Sequence, residues 1–546
     1  MKKTFILLAL TALIPIMGWA QEDTVYKYWI SLSDKAGCGY SLSQPEEYLS
    51  PRALERRQRL HITPDSLDLP IDETYVHQLQ AIGFDVRYRS KWMNGVAAFT
   101  ADSNLVRQLD SLPFVLSATL CDIGPATLPG DSLAGEWVAP ISMDYDSLYG
   151  PEYYGLAIMQ IDRLNGTMLH RNGYEGQGIL IGVCDGGFPG VDTISYFNDL
   201  RNEGRLLATR DFVWGGDNVF NIHDHGTRVF STMAAYKPGV LVGAAPRASY
   251  VLCRTENTLT ESLLEEYNWI AAAEYLDSIG ADIITSSLGY FYFDDSTMSH
   301  SLDDLDGRTA PMSRASTIAV SRGMVVLNAA GNSGESDPQY LNTPADAQEV
   351  LTVGACGLLG DYASFSSHGP TADDRIKPDV ICLGVSVFCV NAFGVLTISN
   401  GTSLATPVMA GMTACLLQRY PTFSPGQICD SIRSWGSLAD NPDMFSGYGI
   451  PDFGLALRGD TATIGIPLTA DAPAMRLYPN PAQGQVHIQA SEPCLVTLFD
   501  AMGRQVLQMQ MNGSESSLPL NGLSKGLYFV AATTARGMAT QKLAIR

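Results

Sequence analysis

Between residues 151 and 460 the chain carries a series of short, nearly continuous apolar runs, at 179–184, 250–253, 283–287, 324–330, 350–355 and 380–383. Strands that read as continuous apolar runs are buried on both faces, because alternation appears only when one face meets water. Segments of helical period lie between several of them, at 227–235, 259–279 and 315–322. Alternation of buried strands with helices predicts an α/β fold, a doubly wound parallel sheet. Ligands bind such sheets beyond the carboxyl ends of the strands, so reactive groups are expected at strand ends and at the helix starts facing them.

Three such places carry side chains able to do chemistry. Ile179-Leu180-Ile181-Gly182-Val183-Cys184-Asp185-Gly186-Gly187 ends a buried strand in a carboxylate followed by two glycines. Asp224-His225-Gly226-Thr227 puts a histidine just before an apolar helix. Asn400-Gly401-Thr402-Ser403 precedes a stretch, to residue 417, that is apolar on almost every side and so belongs inside a large domain. Ser403 then falls at the first turn of a buried helix, where backbone N–H groups lack partners and the dipole favours negative charge. Alone, it reads equally as a helix cap. A serine hydroxyl becomes a nucleophile only when a base removes its proton, and the base needs a third group to hold its tautomer. Val325-Val326-Leu327-Asn328-Ala329-Ala330-Gly331-Asn332 adds an amide at a glycine turn, a donor for a developing oxyanion.

In this order, Asp185, His225, Asn332 and Ser403 resemble the motifs of the subtilisin-like serine peptidases, or subtilases. The Asp-His-Ser order and the oxyanion asparagine are known features of that family. The resemblance implies Asp185 as orienting acid, His225 as general base, Asn332 as oxyanion donor and Ser403 as nucleophile. It also implies Ser287-Leu288-Gly289 as the edge along which an extended substrate binds. Phe365-Ser366-Ser367-His368-Gly369-Pro370 and Lys377-Pro378-Asp379 are further matches. Arg228 stands where the family commonly has a second histidine, and Cys184 and Gly186 around the acid depart from the usual pattern. Leu341-Asn342-Thr343, before Pro344, is expected near the base of the primary pocket. Its neutral polar lining predicts no strong selection for a charged side chain.

The flanks carry their own signals. Lys2-Lys3, an apolar run to Met17 and Gly18-Trp19-Ala20 read as an export signal over residues 1–20. Residues 21–120 mix short strands with helices capped at Ser50-Pro51 and Asp102, a small α+β domain. Residues 121–150, rich in Pro, Gly, Asp and Ser, read as a linker or processing region. The stretch 151–460 is the catalytic-domain candidate and 461–475 a second linker. Residues 476–546 alternate like a small β-sandwich. Ser43-Gln44-Pro45, Leu49-Ser50-Pro51-Arg52 and Ser90-Lys91-Trp92-Met93-Asn94 resemble propeptides of exported subtilases from bacteria using type IX secretion. Such propeptides occupy the cleft as intramolecular inhibitors. Tyr478-Pro479-Asn480-Pro481, Asp500 to Arg504 and Gly526-Leu527-Tyr528 resemble the type IX sorting domain. That implies passage through the periplasm and outer membrane by the type IX machinery, then release or surface attachment.

Composition narrows the partners. With 57 Asp and Glu against 35 Lys and Arg, a formal charge of −22, nucleic acid and anionic membranes are excluded as partners. Proteins or peptides are the expected substrates. After the export signal no run approaches the roughly 18 apolar residues of a spanning helix. No cofactor is required for the expected chemistry. His223-Asp224-His225 lacks an accompanying metal-ligand cluster. Asp303-Asp304-Leu305-Asp306-Gly307 reads as a solvated loop rather than a structural calcium site. Five of the ten cysteines, Cys184, Cys253, Cys356, Cys382 and Cys415, lie in apolar runs, as buried thiols do, with Cys382 and Cys389 near enough to pair. Two competing readings are a catalytically silent binding or scaffold protein on the same fold, and a serine esterase. The esterase lacks support because its residue order, serine then acid then histidine, differs from the Asp-His-Ser order here.

Overall fold

The computed structural model describes residues 24–125, 150–457, 475–490, 493–500, 505–534 and 537–546. The chain divides into two units, residues 1–459 and 460–546. The export signal, residues 461–474 of the expected second linker and most of residues 121–150 lie outside the described residues, and Met475 already begins a strand of the second unit.

The first unit opens with a four-stranded antiparallel sheet in the order β2-β3-β1-β4, from β1 (Thr24–Leu32), β2 (Asp85–Ser90), β3 (Gly95–Thr100) and β4 (Val115–Pro125). Two helices accompany it, α1 (Pro51–Arg59) and α2 (Glu73–Ala81). Ser50 caps α1 by accepting from Ala53 N at 3.2 Å, with Pro51 at the first helical position. The strand β4 runs to Pro125, into the stretch expected to be linker, because Lys27 to Thr24 of β1 continue to pair with residues 122–125. Polar, turn-prone residues can extend a strand when a neighbouring strand offers backbone partners.

The larger part is a seven-stranded sheet, all parallel. Its strands are β5 (Leu180–Asp185), β6 (Leu206–Asp211), β7 (Ser249–Arg254), β8 (Ile283–Ser286), β9 (Val325–Ala329), β10 (Leu351–Cys356) and β11 (Val380–Leu383). The order β11-β10-β9-β8-β5-β7-β6 makes β5 the strand where the winding reverses. The helices α3 (His225–Ala234), α4 (Leu264–Ile279), α5 (Pro311–Ser321) and α6 (Thr402–Arg419) complete the frame. In α6 every residue from Thr402 to Leu417 is buried, as its all-round apolar sequence requires. Burying each Leu, Met or Val of that helix contributes about 1.5–3 kcal/mol relative to exposure. The edge strand β6, with Thr209, Arg210 and Asp211, has no apolar run to announce it. Helix α4 begins at Leu264, so residues 259–263, expected as helix, are loop.

The N-terminal sheet docks on α4. Trp29 stacks on Tyr267 with ring centroids 4.1 Å apart, and Tyr88 Oη donates to Asn268 Oδ1 at 2.6 Å. The Glu274 carboxylate accepts from Lys91 N at 2.8 Å, from Trp92 N at 3.0 Å and from Ser90 Oγ. Fully buried Asp277 pairs with Arg56 at 2.5 Å, Arg57 at 2.9 Å and Lys91 at 3.0 Å. Those cations hold its carboxyl well below the usual range despite burial, which pushes the other way.

The second unit is β throughout, its strands in one seven-stranded arrangement over a core of its own that includes Val486, Ile488, Val496, Leu498, Val530 and Leu543. Cys382 and Cys389 are free, buried thiols. Asp304 accepts from Ser301 N at 2.8 Å and Asp306 from Arg308 N and Thr309 N at 2.7 Å, so both carboxylates serve their own turns. Among the described residues no group of three or more His, Cys, Asp or Glu side chains is placed to hold a metal, and no helix is long and apolar enough to cross a membrane.

Candidate active site

Asp185 ends β5, the strand of reversal, and is fully buried. Its carboxylate accepts from Gly186 N at 2.8 Å and lies 3.0 and 3.1 Å from Nδ1 of His225, the first residue of α3. A carboxylate on Nδ1 fixes the tautomer that leaves Nε2 as the basic nitrogen. Burial alone would depress the imidazole's pKa. The charge and hydrogen bond of Asp185, with smaller contributions from Glu256 and Asp224, outweigh it and raise the value to about 9. Arg228, in the departure position, forks onto Asp224 at 2.9 and 3.1 Å.

Ser403 lies in the first turn of α6. Gly401 before it has φ +143°, a backbone conformation that L side chains rarely adopt. A methyl group built there would sit 2.9 Å from Ser403 Oγ and 3.6 Å from Asn332 Nδ2. The hydroxyl and the amide thus converge on the same small volume. Asn332, just past β9, is oriented by its other end: Thr402 N and Thr402 Oγ1 donate to Oδ1 at 3.0 and 3.2 Å. Its Nδ2 makes no hydrogen bond among the described residues, which leaves it available to a ligand oxygen.

Ser287, just past β8, links the two halves. Its Oγ donates to Ser403 O at 2.8 Å, and it lines with His225 a cleft of about 430 Å³. No hydrogen bond joins Ser403 Oγ to His225 among the described residues. Catalytic hydrogen bonds are often long until substrate is bound. Leu288 O accepts from Asn328 Nδ2 at 2.9 Å, and Gly289 O from Asn342 Nδ2 at 2.8 Å. All eight site residues expected from the sequence therefore belong to one connected region at the carboxyl ends of the strands.

The cleft also brings in residues the sequence reading passed over. Glu256, Glu261 and Asp294 line it. Burial, then the charge of Asp185, pushes the Glu256 carboxyl up to about 7; burial, then Asp294, does the same to Glu261. Glu256 lies two residues past the end of β7, as Asp185 lies at the end of β5, so its place at a strand's carboxyl end was the available signal.

A buried aspartate paired with a half-buried histidine, a serine at a helix start and an amide aimed at the same point define the class of serine hydrolases built on a parallel α/β sheet. The family models agree. The subtilase family matches residues 176–446, the peptidase S8 propeptide domain of Bacteroidota residues 27–126, and the secretion system C-terminal sorting domain residues 476–546. Subtilisin DY of Bacillus licheniformis is 31% identical over 284 residues, 52% of this chain and 90% of the relative. Subtilisin E of Bacillus subtilis (strain 168) is 29% identical over 374 residues, 67% of this chain and 82% of the relative. The crystal structure of an epidermin leader peptide processing serine protease from Staphylococcus aureus shares the fold. It has a TM-score of 0.54 at 14% identity, over 81% of this chain and all of that one. The chain belongs to the subtilase family. It is a subtilisin-like serine endopeptidase with a propeptide domain, and its type IX sorting tail implies export, to release or to the cell surface.

Proposed function

We propose that the protein hydrolyses peptide bonds through an acyl-enzyme on Ser403. His225 Nε2 takes the Oγ proton as Oγ attacks the scissile carbonyl, and the resulting imidazolium is stabilised by Asp185. The carbonyl oxygen, now an oxyanion, accepts from Asn332 Nδ2 and from the Ser403 backbone N–H at the unpaired start of α6. His225 then gives its proton to the leaving amine. Water, deprotonated by His225 in turn, releases the acid. The extended substrate runs along Ser287-Leu288-Gly289, with Asn342 at the base of the primary pocket.

One observation carries this reading: Ser403 Oγ and Asn332 Nδ2 face a common point beneath Gly401, in a site where Asp185 already holds His225. We further propose that the domain over residues 21–120 acts as an intramolecular inhibitor until cleavage within 121–150, and that the tail, 476–546, hands the protein to the type IX machinery. Replacing Ser403 with alanine is expected to abolish both peptide hydrolysis and labelling by a serine-directed phosphonate. Hydrolysis that survives the substitution rejects the mechanism.

A further inference from the structure

Three segments meet beside Ser403. Ser287 to Gly289 forms one wall, tied to the nucleophile through Ser287 Oγ and Ser403 O. Ala330 to Asn332 forms the other, tied through Asn332 Oδ1 and Thr402 N. Residues 341–343 join the walls: Asn342 N donates to Ala330 O at 3.3 Å, Thr343 N to Tyr290 O at 3.0 Å, and Tyr290 N to Thr343 O at 3.1 Å. A scissile carbonyl lying between Ser403 Oγ and Asn332 Nδ2 therefore places its own residue's side chain, the P1 side chain, in the slot between these walls.

Each wall turns a glycine towards the slot, and a glycine normally leaves room. Here that room is taken, by Asn342 and Thr343 O beside Gly289 and by Ser367 Oγ and Asn342 beside Gly331, so that Asn342 is the side chain common to both. A methyl group built on Gly289 would sit 2.7 Å from Asn342 Cβ, and one built on Gly331 would sit 2.9 Å from Asn342 Oδ1. Asn342 thus touches the bare faces of both glycines. It is clamped as well, since its backbone N–H bonds one wall while Nδ2 donates to Gly289 O on the other at 2.8 Å. Swinging the amide aside would leave Gly289 O without that donor, at the cost of a lost buried hydrogen bond. Its Oδ1 is buried and has no partner among the described residues.

We infer that Asn342 is a specificity-determining residue that closes the primary pocket at shallow depth, so that the enzyme selects small P1 side chains: glycine, alanine, serine and threonine. A P1 hydroxyl is accommodated because Asn342 Oδ1 offers it an acceptor. Phenylalanine or leucine would have to displace a side chain packed against two walls, and overpacking of this kind is strongly disfavoured. The inference rests on reading Ser403 and Asn332 as nucleophile and oxyanion donor.

The test uses the mature secreted enzyme and peptides that differ only at P1, carrying Ala, Ser, Thr, Leu or Phe. The P1 Ala and Ser peptides are expected to exceed P1 Phe in kcat/KM by at least about tenfold, the scale on which pocket size discriminates. Asn342→Gly should raise the Phe-to-Ala ratio by at least about tenfold, and Asn342→Ala by less, since each step removes more of the obstruction. The ratio is read within each enzyme, so a change in active fraction does not affect it. Should Asn342→Gly fold poorly, Asn342→Ala and the wild-type ratio decide. Equal cleavage of P1 Ala and P1 Phe by wild type, or an unchanged ratio in both variants, overturns the inference alone, provided a phosphonate labels Ser403. Wild-type hydrolysis without labelling of Ser403 overturns the nucleophile assignment and this inference with it.

Discussion

His225 is held between burial, which favours its neutral form, and the carboxylates around it, which favour the cation. The carboxylates win, at about 9. The raised value means that the cation's stabilising pairing with Asp185 is fully present below the ordinary histidine range and is lost as pH rises through about 9. Catalysis has the opposite sign, because the neutral base appears only over that same rise. The acid limb of kcat/KM, measured with a substrate that does not titrate, is accordingly expected near 9. Glu256, pushed up to about 7 by burial and then by Asp185, is ionised as pH approaches 9 and there helps hold the proton on His225. Glu256→Gln should move the limb to lower pH and raise relative activity at neutrality; a limb that stays put removes Glu256 from this role. Gly401 makes a second prediction at this scale. An alanine there adds strain of order 1–3 kcal/mol and sets a methyl 2.9 Å from the Ser403 hydroxyl. Steady-state kinetics of Gly401→Ala should show a loss of on the order of 10² or more, comparable to losing an oxyanion donor.

Among the elements, α4 has two duties. One face packs under the central sheet and the other receives the propeptide domain through Tyr267, Asn268, Glu274 and Asp277. Removing Asp277 leaves Arg56 and Arg57 buried without their shared counter-ion, a loss of about 3–5 kcal/mol where a buried pair is broken. In the uncleaved chain, Asp277→Ala should lower the denaturant midpoint of the first unit; an unchanged midpoint would show the cluster to be dispensable. The carboxyl is held below its ordinary range, so its contribution is present above that range and disappears only as pH falls through its depressed value. Mild acid should therefore leave the docking intact. The elements that escaped the sequence reading share a cause. Strand β6 is half polar and pairs along one edge only, and residues 259–263 form a loop beside the cleft in which Leu259 is exposed. In both places the tertiary context overrides the local apolar pattern. Residues 122–125 show the converse, the turn-prone Asp122-Ile123-Gly124-Pro125 drawn into β4 by pairing with β1.

At the scale of the molecule, the two units differ in what they must do. The first holds every residue of the candidate site, and the second has a separate core. A chain ending at residue 459 should still label with a serine-directed phosphonate after maturation, yet fail to appear outside the outer membrane when fractions are assayed. Export of the shortened chain would separate sorting from the tail.

Local sequence was enough to mark Asp185, His225, Asn332 and Ser403, because each sits where an apolar run stops and a glycine or helix start begins. That boundary is written in adjacent residues. Export, the alternation of buried strands and helices, and the apolar wrapping of α6 are legible for the same reason. What only the tertiary structure decided is which distant residues share a volume. The reversal of winding at β5, the arrival of Glu256 beside His225, and the Asn342 amide wedged between Gly289 and Gly331 all depend on strand order and register. Those are set by packing across the whole sheet, and no short stretch of chain contains them.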